Sequence, residues 1–302
     1  MPAYLVALLC IIGANVIWSS VGLLVRLVEA PKDVFLFYMA FFAILTGFTL
    51  VTISRGWGAV RRIKFRPMLA IYPLSSGLLG LAIFYAYADA NFPVAAANLI
   101  LNSATLLIVI LAPLMIREAT HRQELIAALI GFGGLGIFVL SGGDTGSGTL
   151  LTVGLALALF ALVMNALSSI WARSIANDIP PVFTPLLVGA GDMTVALGAL
   201  LFSRNSLEIS QADMVISAIV GMSSVGFAYW LLIKAYQTLK VQTVAIIGLL
   251  QPVLTALLAM FFFQEYLTFG MMVGAVVVMT SIVYLLLYRN RQRQNDKANQ
   301  AV

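Results

Sequence analysis

Four polar side chains interrupt the apolar stretch NLILNSATLL, residues 98–107: Asn98, Asn102, Ser103 and Thr105. On a helix, positions 98, 102 and 105 follow an i, i+4, i+7 spacing and therefore share one face. Their amides and hydroxyls are neutral hydrogen-bonding groups. Such a stripe in an apolar helix either joins neighbouring helices or lines a substrate pathway.

Other polar and aromatic side chains lie at mid-depth in further apolar runs. They are Asn15, Trp18, Asn165, Tyr229, Trp230 and Gln251, with Tyr85 nearer one face. No Lys or Arg lies at that depth, which argues against a phosphate or nucleotide-sugar substrate, because a dianion requires charge-assisted donors. Neutral polar groups beside aromatic rings suit a zwitterionic or neutral substrate with an apolar side chain, such as an amino acid.

One carboxylate departs from this neutral pattern, Asp192 in VGAGDMTVAL (188–197). An intramembrane Asp is either a proton-coupling group or a structural, hydrogen-bonded one. GAGD also matches the GxGD pattern of intramembrane aspartyl proteases, but that chemistry requires two carboxylates in one site. The only candidate partner, Asp89, lies at the end of its apolar run.

No other catalytic or metal-binding constellation is present in the sequence. The single histidine, His121, falls in a loop, so there is neither a metal cluster nor a Ser–His pair. The single cysteine, Cys10, falls within an apolar run, so no disulfide framework is expected. The sequence predicts a protein that is not an enzyme and that uses no cofactor and no metal.

The composition places these residues in a membrane. Of the 302 residues, 62% are hydrophobic and 10% are charged, against about 25% charged in soluble domains. A membrane-spanning helix requires roughly 20 apolar residues. Ten runs meet that length, at about 4–28, 33–54, 67–88, 93–116, 123–141, 149–172, 182–203, 212–236, 241–263 and 267–288. We expect an all-α polytopic membrane protein with ten transmembrane helices.

Basic residues are distributed unevenly between the two sides that ten spans define. Fourteen Lys and Arg residues fall on the side that holds both termini, and three on the other side, namely Arg26, Lys32 and Arg204. The positive-inside rule then predicts cytoplasmic N- and C-termini, with residues 142–148 outside. The net charge of +5 is explained by topology and by contact with anionic membrane lipid, and no nucleic-acid partner is expected.

The chain resembles itself after a shift of 147 residues. That shift superposes the first five runs on the last five, and it places Arg26 on Arg173 and Glu118 on Glu265. Because five is odd, the second copy must enter the membrane from the opposite side, as in the inverted repeats of secondary transporters. The predicted units are a first repeat at 1–147, a second, inverted repeat at 148–288 and a basic cytoplasmic tail at 289–302.

Two motifs resemble the drug/metabolite transporter superfamily, EamA type. WSSVGLLVR (18–26) is similar to its first-helix signature, and QPVLTALLAMFFFQEYLT (251–268) is similar to its repeat-ending pattern. The resemblance implies ten helices in which 1–4 and 6–9 surround a central cavity while 5 and 10 lie outside. One departure is that the family's mid-helix proline is present as Pro252 but is replaced by Thr105 in the fourth helix.

With the stripe on a helix that the family places at the cavity, Asn98, Asn102 and Thr105 are expected to line it. The expected function is export of small metabolites, especially amino acids including aromatic ones, across the bacterial inner membrane by alternating access. The alternatives are a broad-range drug exporter, a non-transporting adaptor and the GxGD peptidase. The expected assembly is a monomer or a weak homodimer.

Overall fold

A computed structural model describes residues 3–89, 97, 100–141, 153–263 and 268–300. The regular secondary structure of these residues is entirely helical. The helices are α1 (Ala3–Arg26), α2 (Lys32–Ile53), α3 (Trp57–Val60), α4 (Met68–Ala88), α5 (Ala104–Ile116), α6 (Arg122–Leu140), α7 (Val153–Ile175), α8 (Thr184–Ser203), α9 (Gln211–Val220), α10 (Tyr229–Tyr236), α11 (Val241–Gly248), α12 (Leu250–Phe263) and α13 (Phe269–Gln300).

Two of the long apolar segments contain irregular turns. A π-helix, Gly221–Ala228, joins α9 to α10, and a single residue, Leu249, separates α11 from α12. Pro252 explains the second interruption, because it has no N–H to donate to the carbonyl of Gly248. The helical turn at 100–102 is likewise separated from α5 by Ser103, a residue whose hydroxyl competes for backbone hydrogen bonds.

Seven helical segments in the described part of the chain are long and apolar enough to cross a membrane. The segments are Ala3–Val25, Lys32–Ile53, Met68–Ala88, Val153–Ile175, Pro181–Ser203, Gln211–Tyr236 and Phe269–Gln292. Ile100–Ile116 and Val241–Thr255 are shorter apolar helices. The protein is therefore polytopic and helical, while ten spans in two inverted repeats stay a prediction.

Polar contacts gather one set of connecting segments at a single end of the helix bundle. Arg173 forms an ion pair with Glu118 at 2.7 Å, and Lys240 donates to the carbonyl of Ala119 at 3.0 Å. We call this the basic end, and its segments are residues 54–67, 117–121, 176–183 and 237–240.

A second set of contacts joins the segments at the opposite end. The buried Asp33 carboxylate accepts a hydrogen bond from Ser203. Asp213 accepts the backbone N–H groups of Glu29 and Ala30 at 3.3 and 3.1 Å. Alternate connections therefore lie at opposite ends of the bundle, as in a chain that crosses repeatedly.

Helix pairing has a regular pattern when each helix is compared with the one 147 residues later. α4 packs on α7 while α1 packs on α10, and α5 packs on α7 while α1 packs on α12. α2 pairs with α8 and α6 pairs with α13. Exchanging the two halves of the chain converts the first four contacts into one another in pairs and leaves the α2–α8 and α6–α13 contacts unchanged.

Candidate functional site

A central cavity of about 250 Å³ lies among the helices of both halves. Its described lining comes from α1, α2, α4, α5, α7, α8, the π-helix, α10, α11 and α12, with the turns that adjoin them, and not from α6 or α13. Its polar lining is Asn15, Ser76, Asn102, Thr105, Asn165, Ser168, Ser169, Asp192, Ser224, Gln251 and Thr255. Its aromatic lining is Trp18, Tyr72, Phe84, Tyr87, Tyr229 and Tyr236.

Most of the residues that the sequence singled out reach this cavity. Those that line it are Asn15, Trp18, Asn102, Thr105, Asn165, Tyr229, Gln251 and Asp192. Asn98 lies outside the described residues. Position along each apolar run, which can be read from the sequence, therefore identified much of the cavity wall.

Three of the predicted site residues lie elsewhere. Tyr85 is 36% exposed and lies beside Asp33 at the end opposite the basic end. Trp230 is one residue along the helix from Tyr229, so it points about 100° away, where it packs on Phe227 and lies under the Lys234 ammonium.

Ser103 is the third, and it forms the break before α5. Its carbonyl accepts from the N–H of Leu106 at 3.0 Å, so it begins a new helical turn beside the cavity wall. The structure gives it a backbone function and places the neighbouring Asn102 in the wall.

Two of the wall residues also join helices or brace their own helix. The Asn15 amide donates to Ile11 O at 2.8 Å, within α1. Thr105 Oγ1 donates to Ala245 O at 3.2 Å, which links α5 to α11. The two functions considered from the sequence, helix association and cavity lining, therefore coexist in the same side chains.

An aromatic cluster forms one wall at the π-helix. The rings of Trp18 and Tyr229 meet edge to face with centroids 5.5 Å apart. Trp18 Nε1 donates to the carbonyl of Ser224 at 3.3 Å, inside the π-helix. A π-helix displaces backbone carbonyls from the regular hydrogen-bond ladder and often occurs at functional sites, and here it supplies an acceptor that orients the indole.

Asp192 lies beside this cluster. Its carboxylate lies next to the Ser76 hydroxyl, and Ser76 Oγ lies 2.9 Å from the Tyr229 hydroxyl. Asp192 is 3% exposed, and its Oδ1 atom has no hydrogen-bond partner in the described residues. Sequence analysis missed Ser76, because a single serine is common in membrane helices.

Glycines fix the depth and direction of Asp192. A Cβ atom at Gly191 would lie 2.3 Å from the Pro73 carbonyl, and one at Gly77 would lie 3.0 Å from Asp192 Cα. α8 and α4 therefore touch through their backbones at the level of the carboxylate. The GAGD pattern is thus explained by helix packing.

Asp89, the candidate second carboxylate, accepts the Gly154 N–H at 2.8 Å at the start of α7.

Buried aromatic side chains line the cavity towards the basic end. Tyr72 and Tyr236 are 0% and 2% exposed, and Tyr236 lies beside Ser169. Beyond Tyr236 lies the Glu118–Arg173 ion pair, whose side chains are 14% and 20% exposed. Glu118 also accepts the Val241 N–H at 3.1 Å, so one carboxylate joins three helices beneath the cavity.

The comparisons with known proteins agree with this architecture. Residues 152–287 match the EamA-like transporter family, a transporter family of the drug/metabolite transporter superfamily. A crystal structure of another protein is similar, with a TM-score of 0.77 and 19% identity over 96% of this chain and 98% of its own. At that identity the likeness shows the fold alone. No match was found among curated proteins.

Proposed function

We propose that the protein is a secondary transporter that exports small metabolites, in particular amino acids including aromatic ones, across the bacterial inner membrane by alternating access. The observation that carries the proposal is the cavity itself. It is enclosed by helices from both halves of the chain, and its wall combines neutral polar groups with aromatic rings. The EamA-like domain at 152–287 suggests small-molecule transport.

Several observations support an alternating-access design with two inverted repeats. The helix contacts exchange in pairs when the halves are exchanged. The interruptions at Ser103 and Leu249 fall one residue apart after the shift of 147, although only the second is near a proline. The matched family segment also spans nearly the whole of the second predicted repeat. In transporters of this design, substrate binds between the repeats near the midplane.

The size and polarity of the cavity support a small substrate. Its volume of about 250 Å³ is slightly below the ~300 Å³ at which drug-sized sites begin. Trp18 and Tyr229 offer ring edges and faces to an apolar side chain. The wall contains no Lys or Arg among its described residues, which disfavours phosphorylated substrates. The aromatic preference follows from the WSSVGLLVR stretch, which resembles the bacterial aromatic amino-acid exporter YddG.

Flux in proteoliposomes tests the proposal. The purified full-length protein is reconstituted, and efflux of a panel of amino acids is followed with and without a pH gradient. The gradient shows whether transport is coupled to protons, and the same measurement on Asp192→Asn shows whether that residue carries the coupling, which we propose as a function of Asp192. We expect efflux of neutral and aromatic amino acids.

Two glycine substitutions provide a matched comparison. Neither Gly22 nor Gly133 has a neighbour within 4 Å of a new Cβ atom, but only Gly22 lines the cavity. Gly22→Leu should therefore obstruct the cavity and reduce flux at least tenfold, while Gly133→Leu should transport normally. Equal flux of the two variants, at equal folded yield, would refute transport through this cavity.

A further inference from the structure

Asp192 is the one charged side chain among the described residues that line the cavity. Burial of a carboxylate is costly unless a cation or several donors compensate it. The Ser76 hydroxyl lies beside one part of the group, while Oδ1 has no donor in the described structure.

Among the described residues that line the cavity around this carboxylate, none is a cation. α4 contributes Ser76 and Tyr72, and α10 contributes Tyr229, whose hydroxyl lies 2.9 Å from Ser76 Oγ. These side chains are neutral hydroxyl groups at physiological pH. The cavity thus has an acidic site without an internal counter-ion, on a helix that glycine contacts hold in place.

We infer that Asp192 receives the protonated amino group of the transported molecule, so that the substrate class is primary amines in which a carboxylate is dispensable. The inference rests on the proposed transport function and deepens it. An ammonium group carries three donors and would supply the cation that Asp192 lacks. The nearby Tyr229 ring adds a face over which a cation can lie.

The other polar wall residues explain why the carboxylate of an amino acid contributes less. Asn15, Asn102, Asn165 and Gln251 offer neutral amides, and Asn15 already donates to Ile11 O. Hydrogen bonds from neutral donors to a carboxylate are weaker than those from Arg or Lys. Amino acids and their decarboxylated amines should therefore both bind, whereas acids without an amino group should not.

Three compounds that share one aromatic ring separate these possibilities. Phenylalanine has both charged groups, 2-phenylethylamine has only the amine, and 3-phenylpropionate has only the carboxylate. Binding to the purified full-length protein is measured as a concentration-dependent shift of thermal unfolding, which requires no flux. We expect the two amines to bind within tenfold of each other and 3-phenylpropionate to bind at least tenfold more weakly.

Substitution of the carboxylate completes the test. Asp192→Asn should weaken both amines at least tenfold and leave 3-phenylpropionate unchanged, while Asp192→Glu should recover part of the amine binding. Glu208→Gln removes the same charge from an exposed position and should change nothing. If Asp192→Asn fails to fold, Ser76→Ala provides the test instead. It removes the hydroxyl group beside the carboxylate and should selectively weaken binding of the two amines.

The inference is overturned if 3-phenylpropionate binds as well as phenylalanine, if Asp192→Asn and Ser76→Ala leave amine binding intact, or if neither amine binds. Each of these results would leave the proposed transport function standing, provided that Gly22→Leu still blocks efflux of other metabolites. Conversely, selective amine binding without flux in any reconstitution would contradict transport and preserve the amine site.

Discussion

At the scale of single residues, neighbouring polar groups on one helix face meet different partners. Thr105 donates its hydroxyl hydrogen to Ala245 O at 3.2 Å and so joins α5 to α11. Asn102 lies one turn earlier and lines the cavity. Both side chains belong to the stripe at 98, 102 and 105 and both line the cavity, but the Thr105 hydroxyl also joins two helices. Substitutions can separate cavity lining from helix association, because the first affects substrate binding and the second affects the free energy of unfolding.

Asn102→Ala and Thr105→Val should therefore affect different quantities, the first substrate affinity and the second stability. Loss of the Asn102 amide should leave a polar group of bound substrate unpaired, at a cost of about 1–3 kcal/mol, or roughly 5–150-fold in apparent affinity. Loss of the Thr105 hydroxyl should instead lower the free energy of unfolding by about 0.6–1.7 kcal/mol, the range for hydrogen bonds between membrane helices. Thermal unfolding and flux per folded molecule measure the two effects separately.

Ser103→Ala is the control for Asn102→Ala, because Ser103 is adjacent and lies outside the cavity lining. We expect it to retain transport. A loss of transport in Ser103→Ala equal to that in Asn102→Ala would mean that the helix break, rather than the cavity amide, limits substrate binding.

At the scale of elements, small residues decide which helices can touch. A Cβ atom at Gly47 of α2 would lie 2.3 Å from the Leu186 nitrogen of α8, and a Cβ atom at Gly191 of α8 would lie 2.3 Å from Pro73 of α4. α8 is thus held between α2 and α4 with backbones in contact. Van der Waals packing of this kind is a principal source of helix association in lipid. The packing of α8 between α2 and α4 therefore fixes the position of the backbone at Asp192.

Gly191→Ala and Gly198→Ala test that support within one helix. The new methyl group at position 191 would clash with the Pro73 backbone, which cannot move as a flexible side chain can, whereas position 198 has nothing within 4 Å. We expect Gly191→Ala to lower the unfolding free energy by about 1–3 kcal/mol. Gly198→Ala should be neutral or slightly stabilising, by up to ~1 kcal/mol from helix propensity.

The measurement is thermal unfolding of the two purified variants beside the parent protein. Equal stability of the two variants would show that α8 and α4 are not in backbone contact. In that case the position assigned to Asp192 would also have to be revised.

At the scale of the whole molecule, the sequence predicts helix positions well because the membrane sets the length of each apolar run. The run at 33–54 corresponds to Lys32–Ile53, and the run at 123–141 corresponds to Arg122–Leu140. The π-helix at Gly221–Ala228 was not predicted, since an extra residue per turn depends on packing and leaves the apolar composition unchanged.

The cavity wall is only partly predictable for a related reason. Depth along a helix follows from sequence position, but rotation about the helix axis follows from neighbours that sequence periodicity does not identify. Tyr229 and Trp230 have the same depth and similar chemistry, yet only Tyr229 lines the cavity. Ser76 has a clear place in the site beside Asp192, but its type is too common in membrane helices to attract notice.

The orientation of the whole bundle is the final prediction, because the fold itself is compatible with either direction of insertion. The fourteen-to-three distribution of Lys and Arg predicts that the basic end faces the cytoplasm, since positively charged segments are retained on that side.

The native Cys10 is buried, so a Cys10→Ala background allows single cysteines to report sidedness. Gly58 at the basic end and Glu208 at the opposite end are both exposed, and a Cβ atom at Gly58 meets nothing within 4 Å. In intact bacterial cells, a membrane-impermeant maleimide should label Glu208→Cys directly and Gly58→Cys only after lysis. Labelling of Gly58→Cys in intact cells, with Glu208→Cys protected, would reverse the assignment.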